Sequence, residues 1–342
     1  MKAYKYILET LVAGALVLSF SSCEEKLDPE SIFSTESAKL DPFSASYQLD
    51  KFCEDNYLKP YNLQFRYKMQ DVGADMDYNL VPAAYDKSVD LAVLTKYLWF
   101  DVYDKVVSAD FLKLYGPRII HLIGSPAYNP ANGTMILGLA EGGLKVSLFR
   151  VNTMNVNSFK DLNEFYFKTM HHEFAHILHQ TKTYPKEFDQ ISTTYYDPMG
   201  WQERNNNVCA SLGFTSDYAS SEAREDFAET IANYITMTDA QWNQLLEDAE
   251  SGWQQQYDDN GLPVTDDFTG KPVCDPVEDY DGVDGRSIIL QKVEIARQWF
   301  KDAWNMDLDA LRAEVQTRQL NYDIEALREQ VYGIPTGADA QN

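Results

Sequence analysis

The stretch His171-His172-Glu173-Phe174-Ala175-His176-Ile177-Leu178-His179 holds four of the chain's five histidines. On an α-helix, positions i and i+4 lie one above the other, so His172 and His176 can present imidazole nitrogens to a single ion. Glu173 stands beside the first of them, placed to act as a base next to the ion without ligating it. Leu162, Phe165, Tyr166, Met170, Phe174, Ile177 and Leu178 recur at helical spacing, and Asn157 or Ser158 can cap the start. The pattern predicts a helix from about Phe159 to Gln180. Polar groups on a buried helix need partners, because unpaired ones cost several kcal/mol there. A metal ion satisfies all three; the competing reading is a set of histidines hydrogen-bonded for stability alone.

A catalytic zinc site takes three protein ligands and keeps one position open. The three-histidine pattern H-E-x-x-H-x-x-G-x-x-H is excluded, because His179 stands where its glycine belongs and Lys182 where its last histidine belongs. His179 itself lies on a neighbouring face of the helix. It is expected beside the ligands, or as a positive charge near the helix C-terminus. The third ligand is expected in Glu225-Asp226-Phe227-Ala228-Glu229, where two carboxylates at i and i+4 share one helix face among apolar neighbours. Such a pair alone is usually a solvated face. Beside an H-E-x-x-H helix it points to ligation.

Outward from these motifs the chain divides by its patterning. Residues 46–114 read mainly as helix. Three strand-like runs follow, Arg118 to Gly124, Gly133 to Leu139 and Leu144 to Val151, the last two joined by Ala140-Glu141-Gly142-Gly143. A loop rich in Thr, Tyr, Pro and Asn reaches Asp217, and a helix spans Ala223 to Met237. Residues 251–285 are rich in Gly, Pro and Asp and are left irregular, and Ser287 to Trp304 and Leu308 to Thr317 are helical. The expected class is α+β, mostly helical, with a small, mainly antiparallel sheet packed on the zinc helix. The expected segments are a signal at 1–22, a tether at 23–45, a helical region at 46–114, a catalytic core at 115–245, and an insertion with C-terminal helices at 246–342.

The formal charge of −24, from 53 acidic and 29 basic residues in 342, repels phosphate backbones and argues against nucleic-acid binding. Lys2 and Lys5 precede the apolar run Leu11 to Phe20, which ends in Phe20-Ser21-Ser22-Cys23. That is a targeting signal, and ten apolar residues are too few to span a bilayer core of about 30 Å. Small residues before Cys23 resemble a bacterial lipobox, which implies lipidation of Cys23. Glu24 and Glu25 resemble the surface-export signal of Bacteroidetes lipoproteins. Cys53, Cys209 and Cys274 form neither a disulfide framework nor a cysteine zinc site, although one bridge between two of them is open. Asp258 to Gly261 and Asp279 to Gly282 each lack the first ligand and the closing glutamate of an EF-hand and are rejected as calcium loops.

H-E-F-A-H followed by E-D-F-A-E resembles the gluzincin clan, and anthrax lethal factor and its relatives carry a similar pattern. That resemblance implies a zincin-like fold and a zinc held by His172, His176 and Glu225. It also implies catalytic help from Tyr218, seven residues before Glu225. Glu173 is then the general base, Glu229 orients a ligand histidine, and His179 lies behind the ligands. The lipobox, Asp77 to Ala83 and Trp304 to Asp309 further resemble a family of zinc-binding metallopeptidase lipoproteins of Bacteroidetes, often encoded near glycan-uptake systems. A zinc metallopeptidase acting on peptide or protein is therefore expected, anchored through Cys23 to the outer membrane. The edge of a strand in 133–151 is expected to bind extended substrate. The alternative is a catalytically silent zinc-containing surface lipoprotein that serves glycan or peptide uptake. Thermolysin-like second helices differ in pattern, so their substrate-binding residues are not transferred.

Overall fold

The computed structural model describes residues 39–69, 79–128, 135–136, 138–141, 144–267, 270–279 and 282–339. The expected signal, Cys23, most of the tether, and Asp77 with Tyr78 lie outside them. Within Pro42–Asn342, which form one compact unit, helices pack around a four-stranded sheet, so the α+β class holds.

The sheet contains β1 (Gln64–Arg66), β2 (Ile119–Leu122), β3 (Gly138–Glu141) and β4 (Lys145–Leu148) in the order β1-β2-β4-β3. β1 pairs with β2 in parallel, Phe65 opposite Ile120, and β2 pairs with β4 in parallel, Ile120 opposite Val146. Only β3 runs antiparallel, Gly138 opposite Leu148. The expected mainly antiparallel sheet is thus corrected to a mixed one. Two pairings make it so: β2 lies directly against β4, which leaves β3 on the edge, and β1, three residues just after a turn in which Asn62 adopts a left-handed conformation (φ 53°), adds a second parallel pair. A strand that short shows no period-two pattern, so its region reads as helix throughout.

α1 (Tyr85–Thr95) is buried at every position from Ser88 to Thr95 and continues through Lys96–Phe100 to Asp101–Val106. It brings Trp99 and Tyr103 against Phe174, with ring centroids 5.5 and 5.2 Å apart and edge-on packing. Edge-to-face contacts of this kind add about 0.5–1.5 kcal/mol each to the area they bury.

The zinc helix begins at Phe159, where Ser158 Oγ accepts from Asp161 N at 3.2 Å. It passes through a π-helical turn at Asn163–Phe167 and continues as α2 (Lys168–Thr181). Side chains spaced four apart drift by about 40° per step on a regular helix. The extra residue in the π-turn offsets that drift. Leu162, Tyr166, Met170, Phe174 and Leu178 therefore all stay in the core.

α3 (Ala223–Thr236) lies antiparallel to α2 and is buried along most of its length. Asn163 Nδ2 donates to Thr236 O at 2.9 Å at one end of this contact, and His176 meets Glu225 at the other. α4 (Gly285–Trp304), α5 (Leu308–Asn321) and α6 (Ile324–Tyr332) close the far side. Trp304 to Asp309 is the α4–α5 corner: Asn305 is left-handed, Met306 is fully buried, and Asp307 Oδ1 accepts from Ala310 N at 2.9 Å. The insertion is less irregular than its composition suggests, for Gly252–Gln255 and Cys274–Val277 pair as an antiparallel hairpin. Cys53, Cys209 and Cys274 are free thiols.

Candidate metal centre

α2 and α3 bring three ligand atoms together. His172 Nε2 lies 3.1 Å from His176 Nε2 and 3.1 Å from Glu225 Oε2, and His176 Nε2 lies 3.1 Å from the same oxygen. Among the described residues, His172, His176 and Glu225 form the group of His, Cys, Asp and Glu side chains whose ligand atoms converge in this way. Zn–N and Zn–O bonds of 2.0–2.1 Å set the edge of a ligand tetrahedron near ~3.3 Å. The 3.1 Å triangle matches one face of it. Two imidazoles and a carboxylate, with no thiolate, are also a donor set suited to zinc.

The far nitrogens of both rings are fixed. His172 Nδ1 donates to Glu229 Oε1 at 2.9 Å, which leaves Nε2 with its lone pair toward the centre. His176 Nδ1 lies 2.8 Å from His179 Nε2, and donating there frees the Nε2 of His176 in the same way. His179 is buried against Tyr184 and Phe227, and burial pushes its pKa down to about 4. It is a neutral acceptor, which corrects the option of a helix-terminal charge. Glu229 is held by three further donors: Lys168 Nζ at 2.8 Å, Ser216 Oγ at 2.5 Å and Asn233 Nδ2 at 3.3 Å.

The electrostatics follow from this crowding. Burial opposes charge on His172, but the Glu225 and Glu229 carboxylates outweigh it and raise the imidazole to about 10; a metal at Nε2 would displace that proton and take the lone pair. Burial also opposes charge on Glu225, yet the two imidazoles hold its carboxyl well below the usual range. Glu229 is held low against burial by Lys168 and His172. Glu173 is pushed up by burial, and no described residue hydrogen-bonds its carboxyl. His171 faces the opposite way, into the aromatic core. Its Nδ1 pairs with Tyr103 Oη at 3.0 Å, and burial lowers it to about 3.

Tyr218 stands over the centre in a short 3-10 turn, its ring 5.8 Å from that of His172. Burial and the neighbouring Glu225 carboxylate keep its hydroxyl protonated. Trp201 packs edge-on against it at 4.8 Å. Asp217 Oδ1 accepts from Tyr218 N at 2.9 Å and pairs with Lys271, while Asn205 Nδ2 donates to Pro272 O at 2.8 Å. The insertion thereby braces the Tyr218 turn. Asp226, inside the E-D-F-A-E motif, turns away from the centre to a fully buried Lys292, 2.6 Å away, which also donates to Gly213 O at 2.7 Å.

Sequence reading thus placed His172, His176, Glu225, Glu173, Tyr218, Glu229 and His179 in one site, and the structure brings them together. It missed Lys168, Ser216, Asn233 and Trp201. Lys168 precedes His172 by four residues and Asn233 follows Glu229 by four, so helical spacing could have found both. Nothing local marks Ser216 or Trp201.

A family model described as "Putative zinc-binding metallo-peptidase" matches residues 44–309. The chain belongs to that family. Zinc is its cofactor, and the ligand triangle fits that metal. A solved "putative zinc-binding metallo-peptidase" from Bacteroides caccae is 37% identical, with a TM-score of 0.64; the match covers 86% of this chain and 98% of that one. No curated protein matches the chain.

Proposed function

We propose that the chain is a gluzincin-type zinc peptidase that hydrolyses peptide bonds, with His172, His176 and Glu225 as the metal ligands. The observation that carries this reading is the 3.1 Å triangle of two imidazole nitrogens and a carboxylate oxygen, with Glu173 beside it and free of hydrogen-bond partners among the described residues. Zinc, when bound, supplies a Lewis acid for water and the scissile carbonyl. Glu173 takes the proton of the attacking water and passes it to the leaving amide nitrogen. The Tyr218 hydroxyl donates to the oxyanion that develops on the carbonyl oxygen, and Trp201 holds its ring in place. Glu229 and His179 keep the two ligand rings turned toward the centre. β3, an edge strand that passes α2, offers backbone groups to an extended substrate.

The same reading places the protein outside the cytoplasm as an outer-membrane lipoprotein, held by lipid on Cys23 with residues 24–45 as tether. No helix among the described residues is long and apolar enough to cross a membrane. Replacing Glu173 with Gln tests the chemistry. Zinc content is expected to stay at one equivalent while cleavage of a peptide library disappears. Cleavage at the wild-type rate would overturn the mechanism. If the zinc-loaded wild type cleaves nothing, the chain is a silent zinc-containing binding lipoprotein instead.

A further inference from the structure

One cavity of about 480 Å³ opens between α2, α3 and α5, at the opposite end of the α2–α3 contact from His176. Two cations line it, Lys160 and Lys168, against a single acid, Glu164. In a chain of net charge −24 that local balance is unusual. Lys160 has no ion-pair partner among the described residues. Lys168 gives one hydrogen bond to Glu229, but an ammonium carries three donors, and the side chain keeps 30% of its surface exposed. Gln319, only 5% exposed, also lines the cavity. Its Nε2 donates to Asn163 Oδ1 at 3.3 Å, while its buried Oε1 has no partner among the described residues. The cavity therefore offers cationic donors and one unmet acceptor, the complement of a carboxylate beside an N–H.

Its position relates it to the metal centre. Lys168 lies one turn before His172 on the same face of α2, and Asn233, another lining residue, one turn after Glu229 on α3. Four helical residues span about 6 Å and an extended peptide advances about 3.3 Å per residue. A substrate whose scissile bond sits at the centre would reach Lys168 about two residues away and Lys160, twelve helical residues or about 18 Å from His172, about five or six residues away.

We propose that this cavity is a recognition subsite for a substrate carboxylate, either an Asp or Glu side chain or the chain-terminal carboxylate, about two to six residues from the cleaved bond. The proposal rests on the peptidase reading. Synthetic peptides with Asp exchanged for Asn at each position, each made with free and with amidated C-termini, test it in two ways. The wild type is followed by cleavage, and the zinc-loaded Glu173→Gln variant by fluorescence anisotropy of labelled peptides, which needs no turnover. One acidic position is expected to raise kcat/KM and binding by about fivefold, the effect of partly exposed ion pairing. If instead the free C-terminus carries that effect, the terminal carboxylate is the ligand. Lys160→Glu is expected to abolish or reverse the preference at unchanged zinc content. Equal cleavage and binding of acidic and neutral peptides, or a preference that survives Lys160→Glu, would overturn the subsite. No cleavage by the wild type together with acid-dependent binding would sink the peptidase reading and leave the pocket standing.

Discussion

Replacing Glu229 with Gln preserves the size of the side chain and removes its charge. In the wild type its two oxygens accept from four donors, His172 Nδ1, Lys168 Nζ, Ser216 Oγ and Asn233 Nδ2, and the residue is 3% exposed. An amide has one acceptor oxygen, and its NH2 must face a donor whichever way it turns. Turned toward His172 it meets the Nδ1–H that fixes the ligand tautomer; turned away it takes the partner of Lys168. Loss of such support behind a ligand histidine weakens metal binding by about 10- to 100-fold, or about 1.4–2.7 kcal/mol. With free zinc at 100 times the wild-type Kd, zinc-dependent stabilisation should fall from about 2.7 to between about 1.4 and 0.4 kcal/mol. Competition with a chromophoric chelator gives the affinity, and urea denaturation with and without zinc gives the stability. An unchanged zinc Kd would refute the reasoning. Equal losses of stability with and without zinc would make Glu229 a core ion-pair residue with no part in holding the metal.

Three further outcomes are expected. Lys292→Met leaves Asp226 buried without its partner and should cost about 3–5 kcal/mol by urea denaturation; the double variant Asp226→Leu/Lys292→Met should recover most of it, and a silent single variant would rule the pair out as the lock between α3 and α4. Tyr218→Phe should lower kcat about 100-fold with KM and zinc content held, and an unchanged kcat would remove Tyr218 from the oxyanion role. Stripping zinc with a chelator should lower the melting temperature, and adding zinc back should restore it; a melting curve indifferent to zinc would mean that the triangle contributes nothing to stability.

The metal helix was legible because its information is local. Two histidines four apart, a glutamate between them, a cap at Ser158 and apolar residues at helical spacing define both the element and the face it presents. The paired acids of α3 were legible for the same reason. The strand at Gln64–Arg66 and the insertion hairpin were not, since three or four residues carry too little periodicity to be told from loop or helix.

What the sequence by itself determined is therefore the composition of the centre: which side chains converge on it, which lies beside them, and the helices that carry them. Only the tertiary structure decided how those helices meet. The antiparallel contact of α2 and α3 selects Glu229 for His172 and turns Asp226 away to Lys292. The loop fold sets Ser216, Trp201 and Tyr218 over the metal face, and the insertion braces them. These partners are separated by 13 to 66 residues, so no local spacing encodes them. Their pairing follows from core packing, which buries Glu229 and Asp226 so deeply that each must find its donors.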